Sequence, residues 1–330
     1  MVKKQNLPFI FHAILYCFFA TRFPVMALKT VKEVLKRPRA HWVGDGFNVF
    51  PVFADKAFSS ELSPFLMFDY AAPKQFPANN PKKLGVGQHP HRGFETITIA
   101  FQGEVEHGDS VGNRGVIGPG DVQWMTAGRG IIHEEFHSKD FAKRGGKLEM
   151  CQLWLNLPAK DKMTAPKYQP ILESEITVSP LYEIDPANPE ACTQSDEVDG
   201  FVRIIAGEHK GAKGPATTHT QVDMWDIAIN NSTNGKKYEF ETKEDNNVIV
   251  FVRQGAVEVQ GKELGPQDVA IMNRKGSKII MSAIKDNSKV LLLAGAPINE
   301  PIAARGPFVM NTNAELQKAM MDFQTGNFGR

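Results

Sequence analysis

The amino-acid sequence predicts an all-β protein made of two copies of one antiparallel β-barrel, followed by a short helix. Three observations carry the prediction. From Met26 onward, short alternating or β-branched runs are punctuated by Gly, Pro, Asn and Asp, the pattern of strands joined by turns. Helical periodicity is scarce. A pattern in the first half of the chain also returns, degraded, in the second.

Residues 1–25 are different in kind. Lys3 and Lys4 precede an apolar run from Leu7 to Ala20, interrupted by His12 and too short to span a bilayer. The segment reads as an extension outside the fold, with Met26 as a second candidate initiator. A secretory signal cleaved after Ala27 is the competing reading, with Val25 and Ala27 at the small-residue positions. The first barrel is expected over 26–157. Within it Phe94 to Val105 reads as a strand, a turn and a second strand, and Gly118-Pro119-Gly120-Asp121 as a turn before Val122-Gln123-Trp124-Met125. Proline and acidic residues accumulate over 158–195, which reads as a linker. The second barrel is expected over 196–330, with a last helix from Asn313, as N-cap, through Phe323.

The repeat is specific. Gly265-Pro266-Gln267-Asp268-Val269 and Met272 follow Gly118-Pro119-Gly120-Asp121-Val122 and Met125 at one offset, and Gln254-Gly255-Ala256-Val257-Glu258 parallels Gln102-Gly103-Glu104-Val105-Glu106. This alignment places Glu241 and Lys243 where His89 and His91 stand, and Met281 in place of His133. Turn chemistry is kept in the second copy, while ligand chemistry is lost.

Composition narrows the function classes. The chain of 330 residues has 38 basic and 37 acidic residues, a formal charge of +1, so no global field attracts nucleic acid. The three cysteines, Cys17, Cys151 and Cys192, have no C-x-x-C spacing and imply neither a disulfide framework nor a zinc ribbon. A cytoplasmic location fits this usage, with the secretory alternative resting on residues 1–25.

The chemistry is carried by His89-Pro90-His91 and His133-Glu134-Glu135. Residues two apart on a strand point to one face, so an H-x-H on one strand and an H-x-E on another can converge on a single ion. Three imidazoles and one carboxylate suit a first-row transition metal with a position left open for chemistry. The period of two selects Glu135 over Glu134 as the fourth ligand. Glu95 shares the parity of His91 and stands as a rival, either as a ligand or as an acceptor from a ligand imidazole. If the strand runs on without interruption, His89 and His91 share a face with Ile97, Ile99 and Phe101. His107 and His137 read as solvated or structural, His219 as a surface residue, and Gly128-Arg129-Gly130 as a tight loop feeding the second ligand strand.

Two long stretches, His89-Pro90-His91-Arg92-Gly93-Phe94-Glu95-Thr96 and Gly120 through His133, resemble the signature of the pirin family within the cupin superfamily. The resemblance runs from about Met26 to the C-terminal region and is strongest from Leu62 through Leu157. It implies a bicupin with one iron in the first barrel, held by His89, His91, His133 and Glu135. The fourth ligand then comes from the second motif, whereas the wider cupin pattern would place it at Glu95.

The resemblance also implies a function. Bacterial proteins of this kind are associated with quercetin 2,3-dioxygenase activity, whereas animal members are described as iron-dependent transcriptional co-regulators. The leading expectation is a dioxygenase using Fe(II), with Mn, Ni, Co or Cu as alternative metals. It would open the ring of a flavonol or another small aromatic or enolisable substrate with O2, Glu135 serving as general base. The alternative is an iron-dependent redox sensor or co-regulator acting through a regulatory protein partner. Neither reading calls for nucleic-acid contact or a membrane.

Overall fold

The computed structural model describes residues 27–79, 82–185, 188–192, 198–230 and 235–330. The expectations for residues 1–25 lie outside these. Each half of the chain pairs a seven-stranded antiparallel sheet with a four-stranded one. In the first half the seven-stranded sheet runs, in spatial order, Lys167–Ile171, Val122–Thr126, Phe94–Gln102, Gly146–Asn156, Phe65–Phe76, Phe47–Pro51 and His41–Val43. The smaller sheet runs Gly85–His91, Ile131–His137, Val105–Asp109 and Arg114–Ile117. The second half repeats the plan. Neither strand order closes on itself, so each expected barrel is a pair of facing sheets with the cupin arrangement.

Strand alternation builds the layers. In the first half, Ala71, Ala100 and Met150 point inward to Val105 and Ile117 of the small sheet. Their neighbours of opposite parity, including Ile97, Ile99, Trp124 and Leu153, point outward and pack on Ile249, Phe251, Leu291 and Leu293 of the second half. The two large sheets therefore meet back to back, with a small sheet outside each. Full burial of each such side chain is worth about 1.5–3 kcal/mol, which makes the junction a core and not a loose domain contact.

The connectivity departs from a division at 157 and 195. Val31–Leu35, at the start of the chain, pairs with Val269–Met272 and so lies in the second half's large sheet. The segment expected as a linker contributes Lys167–Ile171 to the first half and Thr177–Leu181 to the second. The sequence signal there was proline content, and proline is accommodated in edge strands like these. The last helix is Asn313–Gln324. Its cap is Thr312, one residue earlier than expected, in a reciprocal capping box with Glu315. No described helix is long and apolar enough to cross a membrane.

Candidate metal centre

Two neighbouring strands of the small sheet bring the histidines together. Gly85–His91 and Ile131–His137 pair antiparallel with His133 opposite His89 and Ile131 opposite His91. The ring centroids of His89 and His133 are 4.3 Å apart, and His91 lies 4.8 Å from each. Each ring presents a nitrogen within 4.8 Å of the other two. His91 and His133 are buried and His89 is half-buried, so the cluster opens on the His89 side.

The hydrogen bonding suits a metal. His89 Nδ1 lies 2.8 Å from the Gly87 carbonyl and donates to it, which leaves the Nε2 lone pair free. Both ring nitrogens of His133, and Nδ1 of His91, are buried without a hydrogen-bond partner. Such groups normally find one, because an unsatisfied buried polar atom costs about 1–3 kcal/mol. A cation among the three rings would take one lone pair from each of them. Burial, then the neighbouring His89, pushes His91 down to about 3, against the Pro307 carbonyl, which acts the other way. Burial and the surrounding imidazoles also hold His133 well below the usual histidine range. His91 and His133 are therefore neutral at physiological pH, the form that binds metal.

Glu135 is buried on the same strand, and its carboxylate is held from the facing large sheet. Thr98 Oγ1 donates at 3.2 Å and Gln123 Nε2 at 3.0 Å to one oxygen, and Gln152 Nε2 at 2.7 Å to the other. Glu135 is not part of the group whose ligand atoms lie within 4.8 Å of one another. Glu95 is in a different place. The strand expected to run on from His91 is broken at Arg92-Gly93, where Gly93 has φ +89°. Beyond the break Phe94, Thr96 and Thr98 face the site, while Glu95 turns with Ile97 and Ile99 to the back of the sheet. There it accepts a hydrogen bond from Thr126 Oγ1 at 2.6 Å. The parity argument that made Glu95 a rival fails because the break resets the alternation.

Other residues frame the centre. His91 packs edge-on against Phe94 and Trp154, which stack with centroids 4.3 Å apart. His107 is fully buried and not solvated: it stacks on Tyr168, bonds Asp109 Oδ2 through Nε2 at 3.0 Å, and lies 5.4 Å from the His133 ring. The sequence signal for it was its alternation with Asp109 on one strand. His137 is structural, bonded through Nε2 to the Gly46 carbonyl at 2.9 Å. His219 is exposed, as expected.

In the second half, Met281 pairs with Tyr238, and Ile279 with Phe240. Val259, the counterpart of His107, pairs with Met281 as His107 pairs with Glu135, so Met281 stands in the place of Glu135, Ile279 in that of His133, and Phe240, not Glu241, in that of His89. All three side chains are buried in that half's core, so apolar packing has replaced the ligand set. A cavity of about 710 Å3 bordered by His209, Asp223, Glu241 and Lys243 opens elsewhere in this half. The ligand chemistry lies in the other half, so cavity size does not mark the site.

Paired facing sheets, with one three-histidine cluster suited to a metal among the described residues, define a bicupin. The chain belongs to the pirin family: the pattern named Pirin matches residues 46–155, and the Pirin C-terminal cupin domain matches residues 224–329. A Pseudomonas aeruginosa protein with the provisional name quercetin 2,3-dioxygenase is 42% identical over 303 residues, covering 92% of this chain and 99% of that protein. A pirin-like protein of Solanum lycopersicum is 35% identical over 311 residues, 91% of this chain and 92% of its own. The crystal structure of a quercetin 2,3-dioxygenase from Acinetobacter baumannii is similar at TM-score 0.82 and 45% identity, covering 92% of this chain and 99% of that one.

Proposed function

We propose that this protein is a metal-dependent dioxygenase that opens the ring of a flavonol such as quercetin, with Fe(II) held by His89, His91, His133 and Glu135. The observation that carries the reading is the gathering of three imidazoles, two of which, His91 and His133, have buried nitrogens without partners. The likeness to quercetin 2,3-dioxygenases over nearly the whole chain supplies the substrate class. Mn, Ni, Co or Cu would fit the same donors. When bound, the metal supplies Lewis acidity toward a deprotonated substrate oxygen and redox chemistry with O2.

The chain's own groups do the rest. The half-buried His89 marks the side from which a substrate reaches the cluster. Trp154 and Phe94 form an apolar wall beside His91 that excludes water and suits a flat ring. Glu135 takes the proton of the substrate hydroxyl as general base, and Thr98, Gln123 and Gln152 keep its carboxylate aimed between the sheets. Cys151 is buried and unpaired, which suits a cytoplasmic setting.

The test is metal content and oxygen uptake with quercetin for the chain from Met26, beside His91→Ala and Glu135→Ala. Metal-dependent uptake lost in both variants establishes the reading. Bound iron without oxygen consumption would replace it with the redox-sensing co-regulator and its protein partner.

A further inference from the structure

The C-terminal segment belongs by sequence to the second half, yet it packs on the loops that adjoin the two histidine-bearing strands of the first. Its hairpin, Ala303–Arg305 with Phe308–Met310, and the helix Asn313–Gln324 share a small apolar cluster that includes Leu316, Ala319 and Phe328. The Arg92 amide donates to the Pro307 carbonyl at 3.4 Å, and the Val309 amide returns a bond to the Arg92 carbonyl at 3.0 Å. The contact at Gly93 is so close that a Cβ there would lie 2.0 Å from the Val309 carbonyl oxygen.

Arg92 is the hub of this contact. It follows His91 directly and is only 3% exposed. Its Nε donates to the Arg129 carbonyl at 2.7 Å, its Nη1 to Asp322 Oδ2 of the last helix at 2.8 Å, and its guanidinium lies 4.6 Å from the Phe328 ring centroid. Arg129 in turn donates through Nε to the Gly329 carbonyl at 3.1 Å. Gly130 faces the same tail, where an added Cβ would meet Phe328 at 2.9 Å. Arg92 thus ties the end of the His89/His91 strand to the loop that begins the His133 strand, and the last nine residues hold both.

We propose that Arg92 is a positioning residue of the metal centre, and that Asp322 and the Phe328–Gly329 tail set metal affinity through it. Spacing between His91 and His133 depends on where their loops sit, and one guanidinium with one carboxylate fixes both loops. Losing such an outer support typically weakens metal binding by about 10–100-fold. The inference rests on reading the three histidines as a metal site.

The probe is Co(II) added to metal-free full-length protein, followed by calorimetry and by its visible absorption bands, which report ligand geometry. Asp322→Asn and a chain ending at Asn327 are each expected to raise the Co(II) dissociation constant about ten-fold or more and to alter the bands. Asp322→Glu should restore both. The unfolding midpoint of metal-free Asp322→Asn should stay close to that of wild type, which separates positioning from general destabilisation. Unchanged affinity and bands in both variants, while His91→Ala abolishes binding, would overturn the strap and leave the metal site standing. An affinity loss that Asp322→Glu does not restore would also overturn it. Wild-type protein that binds Co(II) no better than His91→Ala would overturn the metal reading itself, and the strap with it.

Discussion

Arg253 of the second half donates through Nη1 to Glu149 of the first at 2.7 Å, across the junction of the two large sheets. Its Nη2 reaches Asp226 at 3.0 Å, and Tyr70 and Gln102 donate to the Glu149 carboxylate. The acids hold the guanidinium charged although burial opposes it. Arg253→Ala would leave the buried Glu149 without its paired guanidinium, while Asp226 would keep Arg203 at 2.9 Å. We expect a loss of about 3–5 kcal/mol in urea unfolding, and a loss below about 1 kcal/mol would show that water enters the junction freely.

Glu95 gives the stability a pH dependence of definite sign. Burial raises its carboxyl from 4.5 to about 7, against the hydrogen bond from Thr126. Between these values the folded chain holds a proton that the unfolded chain has released. The contribution is therefore complete below pH 4.5 and is lost as pH rises through about 7. At 1.36 kcal/mol per pH unit this is of the order of 3 kcal/mol. Glu95→Gln should raise the thermal midpoint at pH 8 and leave it nearly unchanged at pH 4, as read by calorimetry at both.

His133 carries two buried nitrogens without a hydrogen-bond partner. Replacing it by leucine keeps a similar volume and removes that cost. Metal-free His133→Leu should be more stable than metal-free wild type by about 1–3 kcal/mol, and excess metal should no longer raise its unfolding midpoint. A variant less stable than wild type without metal would mean that the imidazole has partners of its own, such as ordered water.

Gly93 admits no side chain. Its φ of +89° and the 2.0 Å approach of the Val309 oxygen to a Cβ both exclude alanine. Gly93→Ala should lose more than about 2 kcal/mol of stability together with metal binding. Gly87, which has no positive φ and beside which a Cβ meets nothing, should tolerate the same change within about 1 kcal/mol.

A fragment of residues 196–330 should aggregate. It lacks Val31–Leu35 and Thr177–Leu181, which cover the two outer strands of its large sheet. Bare strand edges pair with other chains. Light scattering should fall when a peptide of residues 27–40 is added, and a monomeric, soluble fragment would contradict the expectation.

The all-β class, the duplication and the three histidines could be read from the sequence because turn residues and ligand spacing are local signals. Other features depend on contacts distant in sequence. Gly93 breaks the strand after His91 and resets the alternation, so Glu95 faces the back of the sheet although counting by twos placed it with the ligands. The hydrogen bonds to Glu135 come from three strands of the other sheet, which no spacing rule reports. The burial of His107 depends on Tyr168, contributed by the stretch that its prolines marked as a linker. The alignment of the repeats was right on the turns but one residue out at the position of His89 and two at that of His133, because only pairing across the sheet fixes register.

The pairing of Val31 with Met272 also bears on how the molecule is made. The earliest of the described strands to leave the ribosome has its partner among the last. At about 5–20 residues per second the wait is roughly ten to fifty seconds. The second half cannot be finished as a separate bead after the first, since its outer strand was synthesised before either. Completion of the sheet is a late, long-range closure, and until then a nascent chain carries an uncovered strand at its leading end.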